Sequence, residues 1–147
     1  MIDAIRDGWG WTGLEPIEVV ARNAFGNLLV RDAQGRVWRI TPEDLSCTIV
    51  AEEDGLAALQ ANEEFRRDWE MRLLSERAAA AFGVPEAGRC YGLKIPAVLG
   101  GAYDEPNLAT LPLDELIRAS GDLARQIHDL PDGTPITTRI VDGRGPS

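Results

Sequence analysis

Apolar and polar positions alternate with a period of two through residues 17–51, then recur every three to four residues from residue 55 onward. A period of two sends alternate side chains to opposite faces of a strand, whereas a period near 3.6 gathers them on one face of a helix. The first regime predicts strands at 17–22, 27–31, 36–40 and 47–51, all rich in β-branched residues. Asp32-Ala33-Gln34-Gly35 joins the second and third as a hairpin, its glycine supplying the positive φ the connection needs. Pro42-Glu43-Asp44-Leu45 suits a single helical turn, and a short amphipathic segment at 1–8 precedes the whole meander.

The second regime predicts a helix over 55–83 that covers one face of the sheet. Asn62 followed by Glu63 and Glu64 is helix-start chemistry, Phe65, Trp69 and Leu73 recur four apart, and Gly83 with Pro85 supplies the stop. Residues 91–99 return to strand character, with Pro96 implying an edge or a bulge, and Gly100-Gly101 marks the end. A second long helix is predicted over 113–129, with Leu113, Leu116, Ile117, Ala124 and Ile127 on one stripe and the small residues Ser120 and Gly121 allowing a close neighbour. Pro131-Asp132-Gly133 reads as a turn and 136–141 as a final strand. The sum is one α+β domain over 1–141, an antiparallel β-sheet packed against two principal α-helices. It has a β-meander part at 1–59, a second part at 60–141 and a polar tail at 142–147.

Composition narrows the function. The chain has 147 residues, 44% apolar and 27% charged, enough to bury a core and too apolar for disorder. No run approaches the roughly 18 apolar residues of a membrane span, so a membrane partner is not expected. Asp3 and Asp7 stand where a signal peptide would carry basic charge, and the expected compartment is the cytoplasm. With 24 acids against 15 bases the net charge is -9, which repels phosphate backbones and favours a basic protein over nucleic acid. Cys47 and Cys90 are expected to be buried free thiols.

Several patterns carry candidate chemistry. Gly8-Trp9-Gly10-Trp11-Thr12-Gly13 satisfies the dinucleotide-loop spacing, with Asp32 about where a ribose-binding acid would stand. Its context opposes that reading, because a helical octet precedes it and β-branched residues follow. Gly100-Gly101, beside Tyr103 and Asp104, is either an anion-binding nest or a tight turn. His128 is the single histidine and sits where a helix C-terminus welcomes a cation. One histidine and two distant cysteines offer no metal spacing, and no cofactor is expected. Glu52, Glu53 and Asp54, with Glu63 and Glu64, form acidic clusters suited to docking a basic protein. Trp38 and Trp69 are expected in the core. Trp9 and Trp11 are read first as core, with an exposed interface anchor as the alternative.

Three stretches point to a family. They are the segment from Cys90 through Lys94 and Pro96-Ala97-Val98-Leu99-Gly100-Gly101 to Tyr103 with Asn107-Leu108, the helical Phe65-to-Trp69 segment, and the run from Gly121 through His128 to Gly133. Together these resemble the C-terminal domain of bacterial immunity proteins that neutralise a type VI secretion DNase effector, over about residues 60–135. Ala24-Phe25-Gly26-Asn27-Leu28 and Gly35-Arg36-Val37-Trp38 look like the β-rich region that precedes that domain, in shortened form. The resemblance implies a non-enzymatic protein that binds a toxin, and it carries no catalytic residues. In that reading the protein occludes the active site of a basic toxin, with Glu52, Glu53, Asp54, Glu63 and Glu64 as the charges that steer the encounter and Trp9 and Trp11 as further contacts. Two alternatives stay open: a small-molecule or nucleotide-binding module using Gly100, Gly101, Tyr103, Asp104 and His128, and a domestic interaction domain without a toxin partner. The oligomeric state is left open.

Overall fold

In a computed structural model that describes residues 1–129, the N-terminal octet is a helix, α1 (Ile2–Trp9), which buries Ala4, Ile5, Gly8 and Trp9. A 3-10 turn at Gly10–Thr12 leads into the meander. The strands are β1 (Pro16–Arg22), β2 (Leu28–Asp32), β3 (Val37–Thr41) and β4 (Ser46–Ala51), antiparallel in the order β1-β2-β3-β4. The predicted hairpin pairs Val30 with Trp38, and the Asp32 carboxylate accepts the amides of Gln34 and Arg36 across its loop. The predicted helical turn is a 3-10 turn at Pro42–Asp44.

The helix expected over 55–83 is three helices: α2 (Leu56–Ala61), α3 (Glu63–Glu70) and α4 (Arg72–Phe82). Asn62 breaks it first, turning extended so that its side-chain oxygen accepts the Phe65 amide at 2.9 Å. Met71 breaks it again in the left-handed region at φ 46, beside Asn23, whose Nδ2 donates to the Trp69 carbonyl at 2.8 Å. A tertiary hydrogen bond therefore ends α3 where local propensity would continue it. Leu73, expected on the buried stripe, is 72% exposed.

Beyond α4, β5 (Arg89–Leu93) pairs with β6 (Leu108–Pro112) in a separate antiparallel ribbon, Tyr91 opposite Thr110. The strand predicted over 91–99 thus ends at Leu93, and Ala97–Leu99 is a 3-10 turn, as Pro96 lacks the amide a ladder needs. Helix α5 (Leu113–His128) matches its prediction closely and buries Leu113, Ile117, Ser120, Gly121 and Ala124. The turn at 131–133, the strand at 136–141 and the tail lie outside the described residues.

The α+β architecture with an antiparallel meander is as expected. The main core packs α1 and α5 against one face of the meander through Ile5, Trp9, Val30, Trp38, Ile40 and Ile117. A second cluster, Phe25, Ala78, Tyr91, Leu93 and Leu108, joins α4 to the ribbon. Between the two, the Pro42–Asp44 turn, the ribbon and α5 leave a gap.

Candidate functional site

That gap is a cleft of about 580 Å³, walled by Phe25, Leu45, Leu93, Leu111, Leu116 and Leu123. Its charged side chains are Glu43, Glu115 and Asp122. Glu43 is only 6% exposed, and both its carboxylate oxygens accept from Asn27 Nδ2 at 3.0 Å. Burial raises its pKa above the usual glutamate value, against the opposing hydrogen bond from Asn27. Asn27 is itself held in place, because its amide donates to Asn23 Oδ1 and its Oδ1 accepts from Arg39 Nη2 at 2.9 Å.

Arg39 continues this polar line to the surface. It occupies the face of β3 opposite Trp38, and its guanidinium lies 5.6 Å from the Phe65 ring and 5.3 Å from the Trp69 ring. Its Nη1 donates to Asp68. The Phe65–Trp69 pair, stacked at 5.8 Å, thus covers an arginine at the protein surface. Trp69 is half-buried there, in neither hydrophobic cluster, which corrects the expectation that it faces a core.

The acidic residues singled out in the sequence are all exposed: Glu52, Glu53 and Asp54 in the turn between β4 and α2, Glu63 and Glu64 in the first turn of α3. Trp9 is 1% exposed and offers a partner no surface here, whereas Trp11 is half-buried. Trp11 Nε1 donates to the carbonyls of Gly8 and Gly121, and its ring centroid lies 5.3 Å from that of His128.

The alternative ligand site is divided between two places. Gly100, Gly101, Tyr103 and Asp104 belong to a loop that Asn107 ties together, accepting the Ile95 amide and donating to the carbonyls of Ile95 and Ala102. A Cβ at Gly101 would collide with the Ile95 carbonyl, so a close backbone approach accounts for that glycine. Tyr103 donates to Asp44 at 3.2 Å, and burial together with Asp44 and Glu43 raises its pKa. His128 packs instead on Trp11. None of these five residues lines the cleft.

Sequence reasoning passed over Asn27, Arg39, Glu43, Glu115 and Asp122. An acid in a turn, as Glu43 is, carries no mark in the sequence that separates burial from solvation. Among the described residues no cluster could hold a metal ion, and no helix is long and apolar enough to cross a membrane.

The sequence model of a family described as "T6SS immunity protein Tdi1, C-terminal" matches residues 51–124, from the end of β4 into α5. The chain belongs to this family. No curated protein matches the chain. The solved structure of Atu4351 from Agrobacterium tumefaciens is similar at a TM-score of 0.56 with 16% identity, over 82% of this chain and 62% of that one. That likeness is one of fold, and the Tdi1-family chain described here spans less than two-thirds of the Atu4351 chain.

Proposed function

We propose that the protein neutralises a nuclease toxin by direct, non-enzymatic binding in the cytoplasm. Family membership over residues 51–124 carries the reading. A nuclease must bind a polyanion, so it presents a basic surface, and a chain of net charge -9 complements such a surface. The exposed carboxylates of Glu52, Glu53, Asp54, Glu63 and Glu64 act over long range, raising the encounter rate and orienting the approach. Docked there, the protein occludes the toxin's active site.

The test begins with capture of the tagged protein's partner from its own cells, grown with and without competitors, and identification by mass spectrometry. Purified effector is then assayed on DNA. Equimolar protein is expected to abolish cleavage, and an effector that is neither bound nor inhibited would overturn the reading. Reversing the five charges is expected to slow association and flatten its salt dependence. Unchanged rates would remove the steering role alone.

A further inference from the structure

The cleft between the Pro42–Asp44 turn, the β5–β6 ribbon and α5 combines two properties that together specify an occupant. Its walls are leucine and phenylalanine, and every charged residue lining it is acidic. The most buried of these, Glu43, meets no cation directly among the described residues. Its oxygens accept from neutral Asn27, while the nearby Arg39 is turned away, one amino group on Asn27 Oδ1 and the other on Asp68. A carboxylate taken out of water is costly unless it is paired. An incoming cation would supply that pairing, and an occupant with an apolar stem would displace water from the leucine walls.

The geometry points to this cleft as the anchoring site for a basic side chain of the toxin, an arginine or lysine flanked by apolar residues, inserted toward Glu43. The inference rests on the immunity reading and adds to it a second surface with a different task. Arginine and lysine carry apolar stems beneath charged heads, which matches a leucine-walled cleft with carboxylates along it. A desolvated pocket that receives one anchor governs how long a complex lasts, whereas exposed charges govern how fast it forms. The cleft is built largely from β5, β6 and α5, within the stretch that matches the family, and is closed on one side by the turn carrying Glu43.

Ala119 gives access to the test, because it lines the cleft yet is exposed, so a large side chain there fills the cleft without entering the core. Binding of the purified toxin is followed by stopped flow and surface plasmon resonance for the wild type, Ala119→Trp, Glu43→Gln and the five-charge reversal, with melting curves for each. Ala119→Trp is expected to melt like the wild type and to raise the dissociation rate about tenfold or more while leaving association within about twofold. Glu43→Gln is expected to act in the same direction, and the charge reversal in the opposite kinetic phase. A folded Ala119→Trp variant that dissociates at the wild-type rate would overturn the inference and leave the immunity reading standing. Failure of the wild type to bind toxin would overturn both. Millimolar n-butylguanidinium, followed by NMR, probes the other occupant. Binding of that cation with no effect of Ala119→Trp on toxin would make the cleft a small-molecule site and likewise overturn the inference.

Discussion

Gly8 and Gly121 meet where α1 crosses α5, so closely that a Cβ on Gly121 would stand 2.1 Å from the Gly8 carbonyl oxygen and one on Gly8 2.7 Å from that of Ile117. Neither helix can carry a side chain at the crossing. Trp11 closes the contact from outside, its one indole N–H shared between the two glycine carbonyls at 2.9 and 3.1 Å. The glycine spacing that resembles a nucleotide loop thus contributes Gly8 to a helix crossing.

Gly121→Ala tests the crossing. Alanine favours an isolated helix by about 1 kcal/mol over glycine, yet here the methyl meets backbone, which cannot rotate away. The clash is expected to win, for a net loss of about 1–3 kcal/mol. Urea denaturation should show a lower midpoint with an unchanged slope.

Arg39→Met keeps the apolar stem beside Phe65 and Trp69 but removes the guanidinium from Asn27 and Asp68. Asn27 Oδ1 is then a buried acceptor without its donor, at an expected cost of about 1–3 kcal/mol. Asp68→Asn, by contrast, alters only an exposed partner and should cost less than about 1 kcal/mol. Chemical denaturation of the two variants side by side checks the ranking.

Two buried carboxyls give opposite pH dependences. Burial raises the Asp32 pKa, but donors from Trp38, Arg36 and Gln34 outweigh it and hold the group below its ordinary value. The stability Asp32 contributes is therefore present above its unfolded pKa, near 3.8, and is lost as pH falls through the lower folded value. Glu43 has a raised folded pKa, so its contribution is full below its unfolded value, near 4.5, and is lost as pH rises through the folded one. Relative to wild type, Glu43→Gln should gain stability as pH rises from about 4.5 toward neutrality, whereas Asp32→Asn should lose it in the acid range, as pH rises to about 4. Melting temperatures from about pH 2 to 8 cover both windows and decide both signs.

The thiols should be inert in the folded protein. Burial pushes Cys47 up to about 11 and Cys90 up to about 12, so neither forms thiolate at neutral pH. Alkylation at pH 7 is expected to be slow natively and rapid for both in denaturant. Fast native labelling of either would contradict this.

Period and punctuation alone located the four strands of the meander, its hairpin, and α5 with its small residues at a crossing. Those elements rest on local rules: alternation across a pleat, a glycine where φ is positive, and a stripe along a helix. The ribbon was half legible. Leu108–Pro112 is too short and too mixed in composition to read as a strand, and it becomes one by pairing with β5. The break at Met71 was not legible, since it depends on Asn23, 48 positions away in the chain.

The proposed surfaces divide the same way. The exposed acids at Glu52–Asp54 and Glu63–Glu64 follow from charge pattern, because charged residues in turns and helix starts stay in water wherever the rest of the chain goes. The cleft does not follow from any pattern, since its leucines come from a turn, two strands and a helix that are neighbours only after folding. Sequence by itself determined which segments could be strand or helix and which sign of charge would face solvent, both consequences of local chemistry. Only the tertiary structure decided that Glu43 would be withdrawn from water, held by Asn27, and set along an apolar cleft, because burial and pairing depend on contacts between segments far apart in the chain.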